Sequence, residues 1–303
     1  MASIGITLGD VAGIGPEIVV KALSQLRGEF SNLTIIGSKS ILTATMQILG
    51  ERFSLPNVVD VGEVEFEYGI VQREAGRMAL IALDKAIELL KEGKITSLVT
   101  APVNKEAIQL INADFTGHTE YLARAFDVED ILMIAHSPYV SFAFATTHLA
   151  LRDVPDIVNV ELVLKKIELF DDYLSTLHQR NVKIAVLGLN PHCFEFSCGE
   201  DEKIAEAVEI ANDKGMDISG PYPADTFHTH LEEVDGFLVQ YHDQGMIPAK
   251  LMAQGKGVNV SWGLPFVRTS PLHGTAFDIA GQDKGNPESI IAAIRLAYLL
   301  QRS

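Results

Sequence analysis

IGITLGDVAGIGPEI, residues 4–18, is the stretch on which the architecture turns. Ile4-Gly5-Ile6-Thr7-Leu8 is an apolar run of strand length, a glycine-rich turn follows, and Pro16-Glu17 opens a helix. Pro16 suits the first helical position, where a missing N–H costs nothing. Glu17 suits the positive end of the helix dipole. A strand that feeds a helix through a glycine loop also raises the question of a dinucleotide cradle of the G-x-G-x-x-G type, and the spacing argues against one. Ile18 stands where the third glycine is needed for close helix–strand packing, and the next strand, Leu33-Thr34-Ile35-Ile36, ends in Gly37-Ser38 with no acid for a ribose. The loop reads at least as well as a structural turn, so a nucleotide site has to be sought elsewhere.

The same alternation continues down the chain. Strands are predicted at Ile4–Leu8, Leu33–Ile36, Ser97–Thr100, Ile131–Ala135, Val140–Thr146, Lys183–Leu189, Gly236–Gln240 and Val258–Trp262. Helices are predicted at Pro16–Gln25, Arg73–Glu92, Val160–Arg180, Glu202–Lys214 and Pro287–Gln301. Val163, Ile167, Phe170, Leu174 and Leu177 form one apolar stripe at helical spacing, and Gly93 stands where a C-cap glycine belongs. Strands alternating with helices predict an α/β fold with a largely parallel sheet.

The 303 residues suffice for one large domain or two. No low-complexity linker divides them, so a two-domain chain would cross between its domains more than once. Forty acidic against 24 basic residues give a formal charge of −16, which disfavours nucleic acid or an anionic membrane as partner. Cys193 and Cys198 are too few for a disulfide framework, and no signal peptide or membrane-length apolar run is present, so a cytoplasmic location is expected.

In open parallel sheets ligands bind beyond the carboxyl ends of the strands. Ser97–Thr100 is followed by Ala101-Pro102-Val103-Asn104-Lys105 and then Gly117-His118-Thr119-Glu120. Val140–Thr146 leads to Thr147-His148, Lys183–Leu189 to Asn190-Pro191-His192, and Gly236–Gln240 to Tyr241-His242-Asp243. One histidine in such a place is more often structural than functional, but several at one sheet edge raise the odds. Three neutral imidazoles leave a zinc-like ion an open position for substrate, and His148, His192 and His242 are the candidates. His228-Thr229-His230 reads better as a solvated loop, and His192, Cys193 and Cys198 match no common zinc spacing. Lys250, Asn259 and Arg268 flank the last predicted strand. Arg268 sits in the apolar setting Pro265-Phe266-Val267-Arg268, which calls for an anionic partner, either an internal carboxylate or a ligand gripped by the planar fork. The glycine-hinged HGTAFDIAG, residues 273–281, could wrap an adenosine, though as a bare pattern it is unspecific.

Taken in order, GDVAGIGPE, TAPVNKEAI, GHTEYLA, TTHLAL, LNPH, GPYPADT, YHDQG and LPFVRTSPLHGTAFDIAG resemble the 4-hydroxythreonine-4-phosphate dehydrogenase family from about Ile6 to Pro287. The resemblance implies an isocitrate/isopropylmalate dehydrogenase-like fold of two α/β subdomains with a cleft between them, set here at 1–135 plus 265–303 and 136–264. It implies metal ligands His148, His192 and His242 at a homodimer interface, drawn from both subunits. The divalent metal would be Zn, Mg or Co. His118, Thr119, Lys250, Asn259 and Arg268 would bind a small phosphorylated substrate. NAD or NADP would lie against His273, Gly274, Thr275, Ala276, Asp278 and Asn286, which answers the question raised by the N-terminal loop.

The implied reaction oxidises a secondary alcohol β to a carboxylate, as in 4-phosphohydroxy-L-threonine, and the β-keto acid then loses CO₂. Related branches act on threonate or erythronate 4-phosphate, or on dihydrodiol carboxylates. Asp225, Asp243 and Lys105 are candidate proton acceptors, and either aspartate could instead orient a ligand histidine. A phosphate acyltransferase of the same superfamily and a non-catalytic binding protein are the alternatives. One residue and one segment depart from the family pattern: Val11 replaces a proline, and Cys193-Phe194-Glu195-Phe196-Ser197-Cys198-Gly199 replaces a glycine-rich run that lets backbone approach a ligand closely.

Overall fold

The computed structural model describes residues 3–301. The chain forms two compact units, one made of the residues up to Glu129 together with those from Leu264 onward, the other running from Asp130 to Gly263.

The first unit carries strands β1 (Ile4–Thr7), β2 (Leu33–Gly37), β3 (Asn57–Asp60), β4 (Ser97–Thr100) and β11 (Val267–Pro271) in the order β3-β2-β1-β4-β11. Every neighbouring pair is parallel. Its helices are α1 (Gly15–Gln25), α2 (Lys39–Ile48), α3 (Arg73–Lys91), α4 (Lys105–Gln109), α5 (His118–Ala125) and α10 (Glu288–Leu300). β1, β2 and β4 are buried along their whole length, as strands covered on both faces must be. Helix α3 turns Ala79, Ala82, Leu83, Ala86 and Leu89 toward Ile36 and Leu98 of that sheet, with the i, i+3, i+4 spacing of an amphipathic helix. Gly93 ends it with φ +68, the left-handed conformation that the sequence reserves for it.

The second unit carries β5 (Leu132–His136), β6 (Ser141–Phe144), β7 (Lys183–Leu187), β8 (Asp217–Tyr222), β9 (Gly236–Val239) and β10 (Val258–Trp262), in the order β10-β5-β6-β9-β7-β8. Its helices are α6 (Val154–Ile157), α7 (Val160–His178), α8 (Glu200–Asp213) and α9 (His242–Ala253). β6, β9, β7 and β8 run parallel, whereas β10–β5 and β5–β6 are antiparallel. The expectation of a parallel sheet thus holds less widely here, and the reason is local. Only a short turn separates β5 from β6, closed by the Ser137 hydroxyl donating to the Val140 carbonyl at 2.8 Å, and a parallel pairing needs a crossover of about a dozen residues. Helix α7 begins where the Asn159 side chain accepts from Leu162 N (2.9 Å), and it buries Val163, Ile167, Phe170 and Leu174, the predicted stripe. Leu177 is only half-buried.

No helix among the described residues is long and apolar enough to cross a membrane.

Candidate active site

Three segments of the first unit meet beside the end of β4. Asn104 caps α4 through its side-chain oxygen, which accepts from Ala107 N at 2.9 Å, and this leaves Lys105 exposed on the first turn. Gly117 then opens α5, so that His118 and Thr119 begin that helix half-buried. Arg268 lies within β11, 3% exposed, and donates from Nη2 to the Thr100 hydroxyl at the end of β4 (2.7 Å). Burial pulls its guanidinium down to about 10, against the opposing pull of the Glu120 carboxylate. Burial, followed by the charges of Arg268 and Lys105, holds the His118 imidazole well below the ordinary histidine value. His118 is therefore neutral at pH 7, next to two cations. A neutral ring beside two positive groups is suited to receive an anion without adding a titrating charge of its own.

The glycine loop after β1 has a partner in the same unit. Ile14 N donates to the Thr275 carbonyl at 3.0 Å, and a Cβ on Gly13 would lie 2.8 Å from that oxygen. The absent side chain of Gly13 is what lets the two loops meet. Phe277 packs on the same loop, against a cluster containing Val11 and Ala12. The N-terminal loop therefore props the HGTAF segment.

That segment runs from His273, whose Nδ1 faces the Gly274 carbonyl at 3.0 Å, through Ala276 in a left-handed conformation to a short 3₁₀ turn at Phe277–Ile279. Gly274, Asp278 and Asn286 are exposed, and the Asn286 side chain accepts from Glu288 N at 2.9 Å, at the start of α10. Buried Glu17 accepts from Gly285 N. Lys21 ties together Glu17 Oε1 (2.8 Å), the Gly285 carbonyl (2.9 Å) and Asp283 Oδ1 (2.8 Å). The sequence reading missed this clip; its only local signal is the i, i+4 spacing of Glu17 and Lys21 on α1.

The second unit holds the remaining candidates. His148, beyond β6, and His242, the first residue of α9, bring their rings to a centroid distance of 5.7 Å. Asp243 Oδ1 sits 2.7 Å from His242 Nδ1, the place of a carboxylate that fixes the ring of a ligand histidine. His192 is exposed and left-handed at φ +57; its Nδ1 lies 3.0 Å from Glu195 Oε2 and its ring 6.0 Å from that of Phe196. The structure brings two of the three predicted ligand rings together. Among the described residues no group of three or more His, Cys, Asp or Glu side chains within this one chain is arranged to hold a metal.

Lys250 is exposed on α9, and Asn259 lies in β10 with its side-chain oxygen buried. Both belong to the second unit, whereas Arg268 belongs to the first. Asp225 is exposed in the 3₁₀ turn Ala224–His230. His230 of that turn stacks on Tyr222 at 4.1 Å and pairs with Glu233 at 3.0 Å. The departure from the family pattern forms a 3₁₀ turn, Cys193–Phe196, with both phenylalanines exposed. Burial pushes the Cys193 thiol up to about 11, so it is protonated and inert.

Residues 18–297 match the family described as "Pyridoxal phosphate biosynthetic protein PdxA". The chain is 34% identical to a 4-hydroxythreonine-4-phosphate dehydrogenase from Sulfurihydrogenibium sp., covering 100% of this chain and 99% of the relative. It is 37% identical to a D-threonate 4-phosphate dehydrogenase from Salmonella typhimurium, covering 98% of each. Among solved structures, a 4-hydroxythreonine-4-phosphate dehydrogenase from Klebsiella pneumoniae superimposes with a TM-score of 0.85 at 34% identity over 99% of each chain. An isocitrate dehydrogenase from Methylococcus capsulatus shares the fold alone, with a TM-score of 0.55 at 15% identity over 100% of this chain and 88% of that one.

Proposed function

The chain belongs to the pyridoxal phosphate biosynthetic protein PdxA family of dehydrogenases, and from that premise we propose that it oxidises the secondary alcohol of a phosphorylated four-carbon hydroxy acid with NAD or NADP. The observation that best supports this reading is Arg268, a guanidinium 3% exposed beside neutral His118 and cationic Lys105, which is what an anionic substrate needs. In the first unit Arg268 grips an anionic group of the substrate by its fork. Thr119, at the start of the same unit's α5, offers a neutral polar contact. Fixing the substrate at its anionic end sets the reacting carbon against the cofactor and lowers the entropic cost of the step. The cofactor lies on His273–Asn286, the segment propped by the N-terminal glycine loop and clipped by Glu17 and Lys21.

A divalent cation, Zn, Mg or Co, fits the donors that the second unit provides. His148 and His242 are paired rings, and His242 is already oriented by Asp243. Among the described residues no third donor converges on this pair within one chain, and on this reading His192 of a second copy completes the set, in a homodimer. When bound, the cation stabilises negative charge on the substrate oxygen and the nicotinamide accepts the electron pair. Asp243 is engaged in holding His242, which leaves Asp225 and Lys105 as candidates to take the alcohol proton; the pH profiles of Asp225→Asn and Lys105→Met tell them apart. The β-keto acid formed then loses CO₂.

Relatives of comparable identity carry the names 4-hydroxythreonine-4-phosphate dehydrogenase and D-threonate 4-phosphate dehydrogenase, so both substrates belong in the test. NADH or NADPH formation is followed by the absorbance of the reduced nicotinamide with each of them. Turnover of at least one supports the proposal, and turnover of neither contradicts it. Mixing His192→Ala with His242→Ala tests the shared site: each variant alone is inactive, and heterodimers regain one intact set. No recovery on mixing refutes a site built from two copies.

A further inference from the structure

The loops that carry His148, His192 and His242 leave three different strands, β6, β7 and β9, and nothing in their sequences ties them to one another. Two glutamines and a threonine do. The backbone N–H of Gln240, just past β9, donates to Gln244 Oε1 on α9 at 2.7 Å. Gln244 Nε2 donates in turn to the Gly188 carbonyl at 2.8 Å, at the start of the loop that leads to His192. Gln240 Nε2 donates to the Leu187 carbonyl at 2.8 Å, at the end of β7. The Gln240 carbonyl accepts from both the hydroxyl (2.6 Å) and the backbone N–H (3.2 Å) of Thr146, two residues before His148. Gln240 itself lies two residues before His242.

We propose that Gln240, Gln244 and Thr146 form a hydrogen-bonded clasp that positions the three histidine-bearing loops for one divalent cation. None of the three is a ligand; each acts through the loop it holds. Gln240 is fully buried, and its Oε1 has no hydrogen-bond partner among the described residues. Burying an amide with one end unpaired costs free energy that an apolar residue would not, so stability alone does not account for a glutamine here. The adjoining stretch is held as well: buried Asp201 accepts from Leu189 N and from the Asn190 side chain, both at 2.7 Å, so displacement at Gly188 is passed toward His192 rather than absorbed. In a site shared by two copies, the clasp fixes how the His148–His242 pair stands relative to the His192 that serves the other copy.

This inference rests on the metal reading above, and its test separates the two. The probe is cobalt(II) added to the metal-stripped full chain, with affinity measured by competition against a chromophoric chelator and coordination followed by the visible absorption of bound cobalt. Gln244→Glu keeps the acceptor for Gln240 N but turns an oxygen toward the Gly188 carbonyl. Thr146→Val removes one hydrogen bond while keeping the side chain's shape, so it stands in should Gln244→Glu fail to fold. Loss of a partner that orients ligands costs about 10- to 100-fold in metal affinity. The clasp predicts at least a tenfold loss for Gln244→Glu, a smaller loss for Thr146→Val, and an altered cobalt spectrum. A merely structural role would lower the melting temperature and leave both readouts unchanged in the folded protein, which would overturn the inference. Failure of the unmutated protein to bind cobalt would overturn the metal reading, and the clasp with it.

Discussion

Replacing Arg268 by methionine separates binding from stability in one experiment. The guanidinium is buried within β11, and burial brings it from its ordinary value down to about 10. A group whose folded value is depressed in this way carries its charge at a cost, and that gap converts to about 3 kcal/mol at 1.36 kcal/mol per pH unit. Methionine fills similar space without that cost but leaves the Thr100 hydroxyl without its donor, worth about 1 kcal/mol. Unfolding should therefore show a melting temperature that is unchanged or raised by a few degrees. Binding should suffer. Loss of charge-assisted hydrogen bonds to an anion, about 1.5–3 kcal/mol, predicts a fall in kcat/KM of about 10- to 150-fold. Steady-state kinetics with varied phosphorylated substrate measures this, with the KM for NAD or NADP as internal control. An unchanged kcat/KM, or a fall in melting temperature of many degrees, would refute the assignment of Arg268 to the substrate and make it a structural residue.

Other consequences follow from named groups. Asp10 is 1% exposed with its Oδ2 unpaired, and burial raises its carboxyl to about 6. Its ionisation opposes folding, so the penalty is absent below pH 3.8 and grows as the pH rises toward 6. Asp10→Asn should stabilise by up to about 3 kcal/mol at pH 7.5 and by almost nothing near pH 4; a lower melting temperature at pH 7.5 would contradict this. His136, bonded to Ser141 Oγ (3.0 Å) and Tyr173 Oη (3.1 Å), is lowered by burial to about 4. Its stabilising contribution is full above 6.5 and is lost as the pH falls toward 4, so urea denaturation should find the native protein about 2 kcal/mol more weakened between pH 7.5 and 5 than His136→Gln. Equal pH dependence in the two proteins would count against it. Lys21→Met opens the clip on residues 283–285 and should raise the KM for the nicotinamide cofactor several-fold with kcat nearly constant; an unchanged KM would free that segment from any cofactor role.

The sequence made the buried parallel strands legible because they are short apolar runs, and α3 and α7 because their apolar faces repeat at helical spacing. Elements that break those patterns escaped. β11 reads VRTSP, with a charged residue inside it. β8 contains Gly220-Pro221, and β3 exposes both its ends at the margin of the first unit's sheet. Helix α9 carries Gly245 and Pro248, which local propensity counts against a helix. The site divides in the same way. The three histidines follow strand ends, and His118 and Arg268 belong to recognisable motifs. Gln240, Gln244, Asp201 and Glu17 look like ordinary polar residues in a linear chain, because their partners lie on other elements and only the folded backbone supplies them.

The most direct test of the central claim is cofactor reduction before and after metal removal. The dialysed, chelator-treated protein is assayed by the absorbance of reduced nicotinamide with 4-phosphohydroxy-L-threonine and with D-threonate 4-phosphate, then again after zinc, magnesium or cobalt is restored. Reduction that vanishes with the metal and returns with it is the predicted result. Equal turnover by the metal-free protein would contradict a cation held by His148, His192 and His242.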